Sequence, residues 1–332
     1  MIPFTYVKAK DTPDALQRGR DHNTMFVAGG TTLIDLMKLS VMTPASLVDI
    51  NHLPLGDIEH LPDGSVRIGA MVRNSDLAHD ATVATHFPVL SQALLSGAST
   101  QLRNVATTGG NLMQRTRCYY FRDTAYPCNK RQPGAGCAAI DGFNRMHAVL
   151  GGSNHCIATH PSDMAVALVA LDAIVHIQGW DGERTVPMGE FHLLPGQTPH
   201  LETVVQPGEL VTYVTVPKSP FAAHSSYVKL RDRASYEFAL ASAAAALALE
   251  GDRIHAVRVV LGGVATKPWR SLEAERLLTG ATVDDTTLRA AAEAALQGAM
   301  PHRHNGFKIE LAKRAIVRAF KNAIQLTEET QS

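Results

Sequence analysis

Every cysteine of this chain lies between positions 118 and 156: Cys118, Cys128, Cys137 and Cys156, with none elsewhere. Unrelated core thiols rarely cluster so tightly, and a disulfide scaffold is a device of small secreted domains rather than of a 332-residue chain. The cluster points first to a four-thiolate metal site, with two disulfides or separate core thiols as the competing readings. Thiolates are soft ligands that suit zinc or an iron–sulfur cluster. Structural zinc sites usually pair cysteines about two to four residues apart. Here the spacing is C-x9-C-x8-C-x18-C, with no close pair. That looseness suits the separate corners of a cubane better than one tetrahedral ion, although it matches no common ferredoxin run. Pro133, Gly134 and Gly136 would let the backbone fold tightly around such a site. Arg115, Arg117, Lys130 and Arg131 put positive charge beside it, either as a field on the site or as a solvated, partner-facing rim.

Charge narrows the partners. The chain has 31 basic and 31 acidic side chains, so it carries no electrostatic footprint for a phosphate backbone, and non-specific nucleic-acid binding is excluded. A composition 45% hydrophobic and 19% charged is that of a globular protein. The length implies two or three domains at roughly 100–200 residues each. The longest apolar run, Ala239 to Leu249, falls short of the about 20 residues of a membrane-spanning helix and is expected in a core, so no membrane partner is expected. The opening MIPFTYVKAK has no charged region leading into an apolar one, so no export signal of the chain's own is expected.

The first segment reads as alternating helix (Ala15 to Arg20), strand (Met25 to Ala28), helix (Thr32 to Leu39) and strand (Leu47 to Ile50). From near Ile58 follow a strand over Val66 to Ala70, a helix opening at Ser75 with a polar cap, and a helix over Pro88 to Ser96 with proline in its first turn. Met164 to Leu171 reads as an apolar helix, and Ala173 to Gln178 and Glu209 to Val216 as strands. Ser219-Pro220 marks a boundary. Beyond it lie strands over Ser226 to Leu230 and Ala256 to Leu261, then helices over Ser271 to Leu278, Thr287 to Gln297 and Lys308 to Asn322. The last helix carries Lys313, Arg314, Arg318 and Lys321, read as a solvated face or partner surface.

Two glycine loops carry the anion-binding signal. Val27-Ala28-Gly29-Gly30-Thr31-Thr32-Leu33 joins a strand to a helix, and Thr107-Thr108-Gly109-Gly110-Asn111 repeats the idea. Glycine lets backbone approach an anion closely, and successive N–H groups favour negative charge. Neither loop has the glycine spacing of the dinucleotide fingerprint or the P-loop. Together they could clamp one pyrophosphate; the alternative is two independent turns. The pair His302/His304 has no third ligand in pattern, and His155 reads as a neighbour of the cysteine site. Asp163 competes with Ser162 to cap the following helix, and a lone Lys229 would ordinarily be a surface residue.

These segments together resemble the FAD-binding medium subunit of the xanthine dehydrogenase family of molybdenum hydroxylases. AGGTTLIDLMK (Ala28 to Lys38) and TTGGNL (Thr107 to Leu112) are similar to its two pyrophosphate loops, and RIGAMVRNSDL (Arg67 to Leu77) to the entry into its second subdomain. HPSDMAVAL (His160 to Leu168) is similar to the segment whose aspartate contacts the cofactor, and LGGVATKPWR (Leu261 to Arg270) and NGFKIELAKR (Asn305 to Arg314) to its C-terminal domain. The resemblance implies an α+β fold: a two-subdomain FAD-binding unit of the vanillyl-alcohol-oxidase/PCMH type at 1–218 (subdomains 1–56 and 57–218), then a C-terminal α/β domain at 222–330 like that of the CO dehydrogenase flavoprotein. It implies FAD contacts from Phe26, Val27, Ala28, Gly29, Gly30, Thr31, Thr32, Leu33, Thr107, Gly110, Asn111, Asp163 and Lys229, the lysine as a cation favouring reduced, anionic flavin; Arg231 and Arg233 could share that role.

About 45 residues separate TTGGN from the Pro-Ser-Asp segment, and they hold every cysteine. This is similar to a branch of aldehyde oxidoreductases whose flavin subunit carries an inserted [4Fe–4S] loop, here about 112–159, with Cys118, Cys128, Cys137 and Cys156 as ligands. The implied function is electron transfer from [2Fe–2S] clusters in a small partner subunit, through FAD, to a small-molecule acceptor. Aldehyde chemistry would proceed at the molybdenum cofactor of a large partner subunit, and no residue of this chain need act as general acid or base. The cluster would be a relay, a store or a clamp. The resemblance implies a periplasmic location by co-export with a signal-bearing partner, the alternative being cytoplasmic. The competing functions are the flavin subunit of a reductase like 4-hydroxybenzoyl-CoA reductase, and a zinc-stabilised interaction subunit without flavin.

Overall fold

The computed structural model describes residues 1–21 and 23–331. Three sheets organise it, and the strands are numbered β1 to β12 along the chain. The first holds β1 (Thr5–Lys8), β2 (Thr24–Val27) and β3 (Ser46–Asp49) in the order β1-β3-β2, all parallel. Parallel neighbours need crossovers, supplied by the helices Thr12–Gly19 and Leu33–Lys38. Asp11 starts the first of these by accepting the Asp14 N–H at 2.8 Å, with proline in the first turn.

The second sheet is antiparallel, in the order β4-β5-β8-β6-β7: β4 (Ile58–His60), β5 (Val66–Gly69), β6 (Ile174–Gly179), β7 (Gly182–Pro187) and β8 (Leu210–Val216). The long excursion between β5 and β6 carries the helices Asn74–His79, Pro88–Ser96, Thr108–Leu112 and Asp163–Ala170, and the cysteine segment. The third sheet, order β12-β11-β10-β9, is also antiparallel: β9 (Ser225–Leu230), β10 (Ala241–Glu250), β11 (Arg253–Gly262) and β12 (Trp269–Arg270).

The alanine run is the central strand β10. Alanine is a poor strand former, so tertiary packing decides here. Ala243, Ala245 and Leu247 face a core shared with the final helix Phe307–Gln331, while Ala244 faces the opposite core with the helix Asp163–Ala170. Small side chains on both faces let helices pack closely on each side. No described helix is long and apolar enough to cross a membrane.

The architecture is mixed α and β, as expected. Several local readings change. The helix expected to open at Ser75 begins at Asn74, behind Arg73, which makes no side-chain cap. The last helix runs Phe307–Gln331, and two of its cations are paired within the chain: Lys313 with Glu293 and Glu310, and Lys321 with Asp285. Strands β1 and β7 and the short helices Tyr119–Arg122 and Ala138–Asp141 carry no clear sequence signal.

Candidate functional site

A cleft of about 1080 Å³ runs between the first glycine loop, the second glycine loop, the segment 159–164 and the ends of β9 to β11. The first loop is set by close backbone approach. A Cβ on Gly29 would stand 2.1 Å from the Val105 carbonyl oxygen, and Gly30 adopts φ +69°, a conformation that suits glycine. The first loop therefore lies hard against the segment leading into the second. Arg73 and Asn51 fasten the junction: Arg73 donates to the Val105 carbonyl at 2.5 Å and Asn51 donates to the Ala28 carbonyl at 3.0 Å.

The second loop opens the helix Thr108–Leu112. Thr107 Oγ1 accepts the Gly110 N–H at 3.2 Å, and the N–H of Gly109 donates to the Ala70 carbonyl at 2.8 Å. Ser162 Oγ donates to Asn111 Oδ1 at 2.6 Å and accepts the Ala165 N–H at 2.9 Å. Ser162 is thus the cap of the helix Asp163–Ala170 and ties it to the glycine loop. Asp163 is released from capping and points its carboxylate at β9, where it accepts from the Tyr227 hydroxyl at 2.6 Å and the Lys229 ammonium at 2.8 Å. Burial first, and then the Asp163 charge, push the Tyr227 hydroxyl well above the ordinary tyrosine range.

Of the expected cofactor residues, Thr31, Thr32, Gly110, Asn111, Asp163 and Lys229 line the cleft together. Phe26, Val27, Ala28, Gly29, Gly30, Leu33 and Thr107 are not among the residues that line it. Lys229 does not present a free cation. Its charge is neutralised by Asp163, and it also donates to the Ser96 carbonyl, as does Arg231. The Arg233 N–H is held by Glu237.

The cleft suits an extended dinucleotide. Its volume lies just above the about 300–1,000 Å³ usual for small-molecule sites. Three residues that line it each hold a buried nitrogen without a protein partner: Arg117 Nε, Arg122 Nη1 and His160 Nε2. Arg117 is expected beside the cysteines, and nothing near it in the chain marks it as a cleft residue. Its neighbour Arg115 turns the other way, to the half-buried Glu202, which Lys130 also reaches at 3.3 Å. Burial pushes the Glu202 carboxyl up, but Lys130 and Arg115 outweigh it and hold the group below its ordinary range.

All four cysteines line one small pocket beside the cleft, and none is in a disulfide. Cys118 belongs to both walls, since it also lines the cleft. His147 Nε2 lies 3.1 Å from Cys118 Sγ, and the Ala158 N–H is directed at Cys156 Sγ at 3.4 Å. Burial pushes the Cys118 thiol up to about 12 and the Cys156 thiol up to about 11. The donors suit sulfur ligands of a buried group. Among the described residues, however, no group of three or more His, Cys, Asp or Glu side chains is placed to hold a metal ion. His155 lines the pocket, and His304 stacks on Phe143.

Comparison with known proteins decides the family. Residues 2–219 match the model of the FAD binding domain in molybdopterin dehydrogenase, and residues 194–323 match the CO dehydrogenase flavoprotein C-terminal domain. The chain belongs to the FAD-binding medium subunits of the xanthine dehydrogenase family. Among curated relatives of this family it is similar to the aldehyde oxidoreductase FAD-binding subunit PaoB of Escherichia coli (strain K12), 50% identical over 97% of this chain and 99% of the relative. It is also similar to the glyceraldehyde dehydrogenase medium chain of Sulfolobus acidocaldarius, 29% identical over 96% of this chain and 97% of the relative. Among solved structures it resembles the carbon monoxide dehydrogenase of Hydrogenophaga pseudoflava lacking the Mo-pyranopterin moiety (TM-score 0.76, 26% identity, 98% of this chain and 99% of that one). Quinoline 2-oxidoreductase from Pseudomonas putida 86 matches at TM-score 0.75 and 25% identity, over 98% of each chain. As a medium subunit of this family, the chain is the FAD-binding part of an oxidoreductase, which fits the cleft and its two glycine loops.

Proposed function

We propose that this FAD-binding subunit serves a molybdenum-dependent aldehyde oxidoreductase and carries an inserted [4Fe–4S] cluster on Cys118, Cys128, Cys137 and Cys156. The observation that carries the reading is the sharing of Cys118 between the cysteine pocket and the cleft. Two redox groups held there would stand side by side. FAD supplies two-electron storage with release in one- or two-electron steps. The chain's own work is positioning: the glycine loops admit the dinucleotide's phosphates, and the Asp163–Lys229 pair gives the cleft wall a fixed, neutral polar surface. Thr31, Thr32 and Asn111 offer hydroxyl and amide groups to a bound ligand.

In this reading, a small [2Fe–2S] subunit delivers electrons and a large molybdenum-cofactor subunit oxidises the aldehyde to its acid. A small-molecule acceptor outside the complex takes the electrons from FAD. The assembly is periplasmic, exported folded with a signal-bearing partner. Residues 1–218 hold the flavin and 222–330 form the C-terminal domain. The 50% likeness to an aldehyde oxidoreductase subunit over nearly the full chain supports the substrate class. The test is anaerobic addition of an aldehyde to the complete complex. Bleaching of the flavin absorbance is expected; a flavin that stays oxidised while the aldehyde is consumed would overturn the electron route.

A further inference from the structure

Arg117 and Arg122 both come from the cysteine-bearing segment, the first directly before Cys118 and the second at the end of the helix Tyr119–Arg122. Both reach across to the helix that follows the first glycine loop. Arg117 Nη1 and Arg122 Nη2 converge on one carboxylate oxygen, Asp35 Oδ2, at 3.2 and 2.8 Å. Two guanidinium groups against one carboxylate leave one positive charge in surplus. Each arginine also keeps a buried N–H with no protein acceptor, at Nε and Nη1 respectively. Arg117 Nη2 lies 3.4 Å from Thr32 Oγ1, and its guanidinium sits over the Phe238 ring. Arg117, Arg122, Thr31 and Thr32 line the same stretch of cleft.

Surplus charge, unsatisfied buried donors and adjacent hydroxyls form an incomplete anion site. Guanidinium forks match phosphate oxygens, and a buried donor without an acceptor is costly until one arrives. We propose that Arg117 and Arg122 complete a diphosphate site with Thr31 and Thr32, so that retention of the flavin dinucleotide depends on the folded cysteine-bearing segment. The inference rests on the flavin reading above and adds to it that the insertion itself supplies ligand contacts.

The test strips flavin from the full chain and titrates it back, with FAD and with riboflavin, which lacks phosphate. Wild type, R117M, R122M and D35N are compared by flavin fluorescence at two salt concentrations, with the thermal midpoint of each flavin-free variant recorded alongside. R117M and R122M are each expected to weaken FAD binding roughly tenfold or more, to lower the preference for FAD over riboflavin, and to flatten the salt dependence. D35N keeps both cations and is expected to hold FAD at least as tightly as wild type. Arginine variants that bind FAD like wild type would overturn the proposal. So would equal losses for FAD and riboflavin, or a D35N loss matching R117M, since each would mark the arginines as struts. A wild-type chain that takes up no FAD would instead overturn the flavin reading itself.

Discussion

The Lys229 ammonium donates to the Asp163 carboxylate at 2.8 Å, with the two side chains only 3% and 9% exposed. Removing one partner of such a pair strands a buried charge, which costs about 3–5 kcal/mol. K229M is therefore expected to lower stability by about that much, because Tyr227 alone remains to hold the carboxylate. The double variant D163N/K229M should cost clearly less than the sum of the single changes. Urea unfolding of the four proteins measures the coupling; additive losses would mean that the two groups act independently.

Gly29 faces the Val105 carbonyl so closely that a methyl group would meet the oxygen at 2.1 Å. G29A is expected to push the two glycine loops apart and to lose bound FAD during gel filtration. Gly56, whose added Cβ would meet nothing within 4 Å, is the matched control. G56A should retain flavin at the wild-type level, and flavin content per chain reports both outcomes.

Acid should weaken the fold through His192. Burial holds its imidazole down to about 4 from an ordinary 6.5, while its Nε2 lies 3.0 Å from the Leu112 carbonyl oxygen. The folded state thus refuses a proton that the unfolded state accepts. Stability is full above pH 6.5 and falls as pH drops from about 6.5 to about 4, by roughly 3 kcal/mol for this residue alone. H192Q should flatten part of that slope in unfolding experiments run across the same range.

Much of the scaffold is legible in the sequence, for reasons that particular residues display. The helix Pro88–Ser96 has the expected bounds because proline starts it and Gly97 follows it. The six cleft-lining residues Thr31, Thr32, Gly110, Asn111, Asp163 and Lys229 come from four separate segments, and the family resemblance selected them all. Composition alone did not identify β10, because alanine favours helix and only two-sided packing makes it a strand. Strand β1 escaped because its four residues are mostly exposed. Arg117 and Arg122 could not be assigned to the cleft because their partner Asp35 is more than 80 positions away. Lys229 is expected from the resemblance as a cation near the flavin, and its pairing with Asp163 is not legible, since Asp163 approaches it from another element.

Lys308 is fully buried and donates to three carbonyls, those of Met146 and His147 at 3.2 and 2.9 Å and of Gly263 at 2.5 Å. It clasps the final helix to the cysteine-bearing segment and to the loop after β11. K308M leaves those acceptors without a donor and should cost at least about 3 kcal/mol. Limited proteolysis should then cut within 112–159 faster than in wild type, whereas K321M, on an exposed pair, should leave the pattern unchanged.

The proposed function requires one chain to hold a flavin in the cleft and a cubane on the four cysteines beside it. Flavin, iron and zinc analysis of the purified chain, with its visible spectrum, tests this most directly. Bound FAD, a full complement of cubane iron with a broad brown absorbance, and loss of that iron in each Cys→Ser variant are expected. A colourless protein that contains zinc and neither iron nor flavin would contradict it.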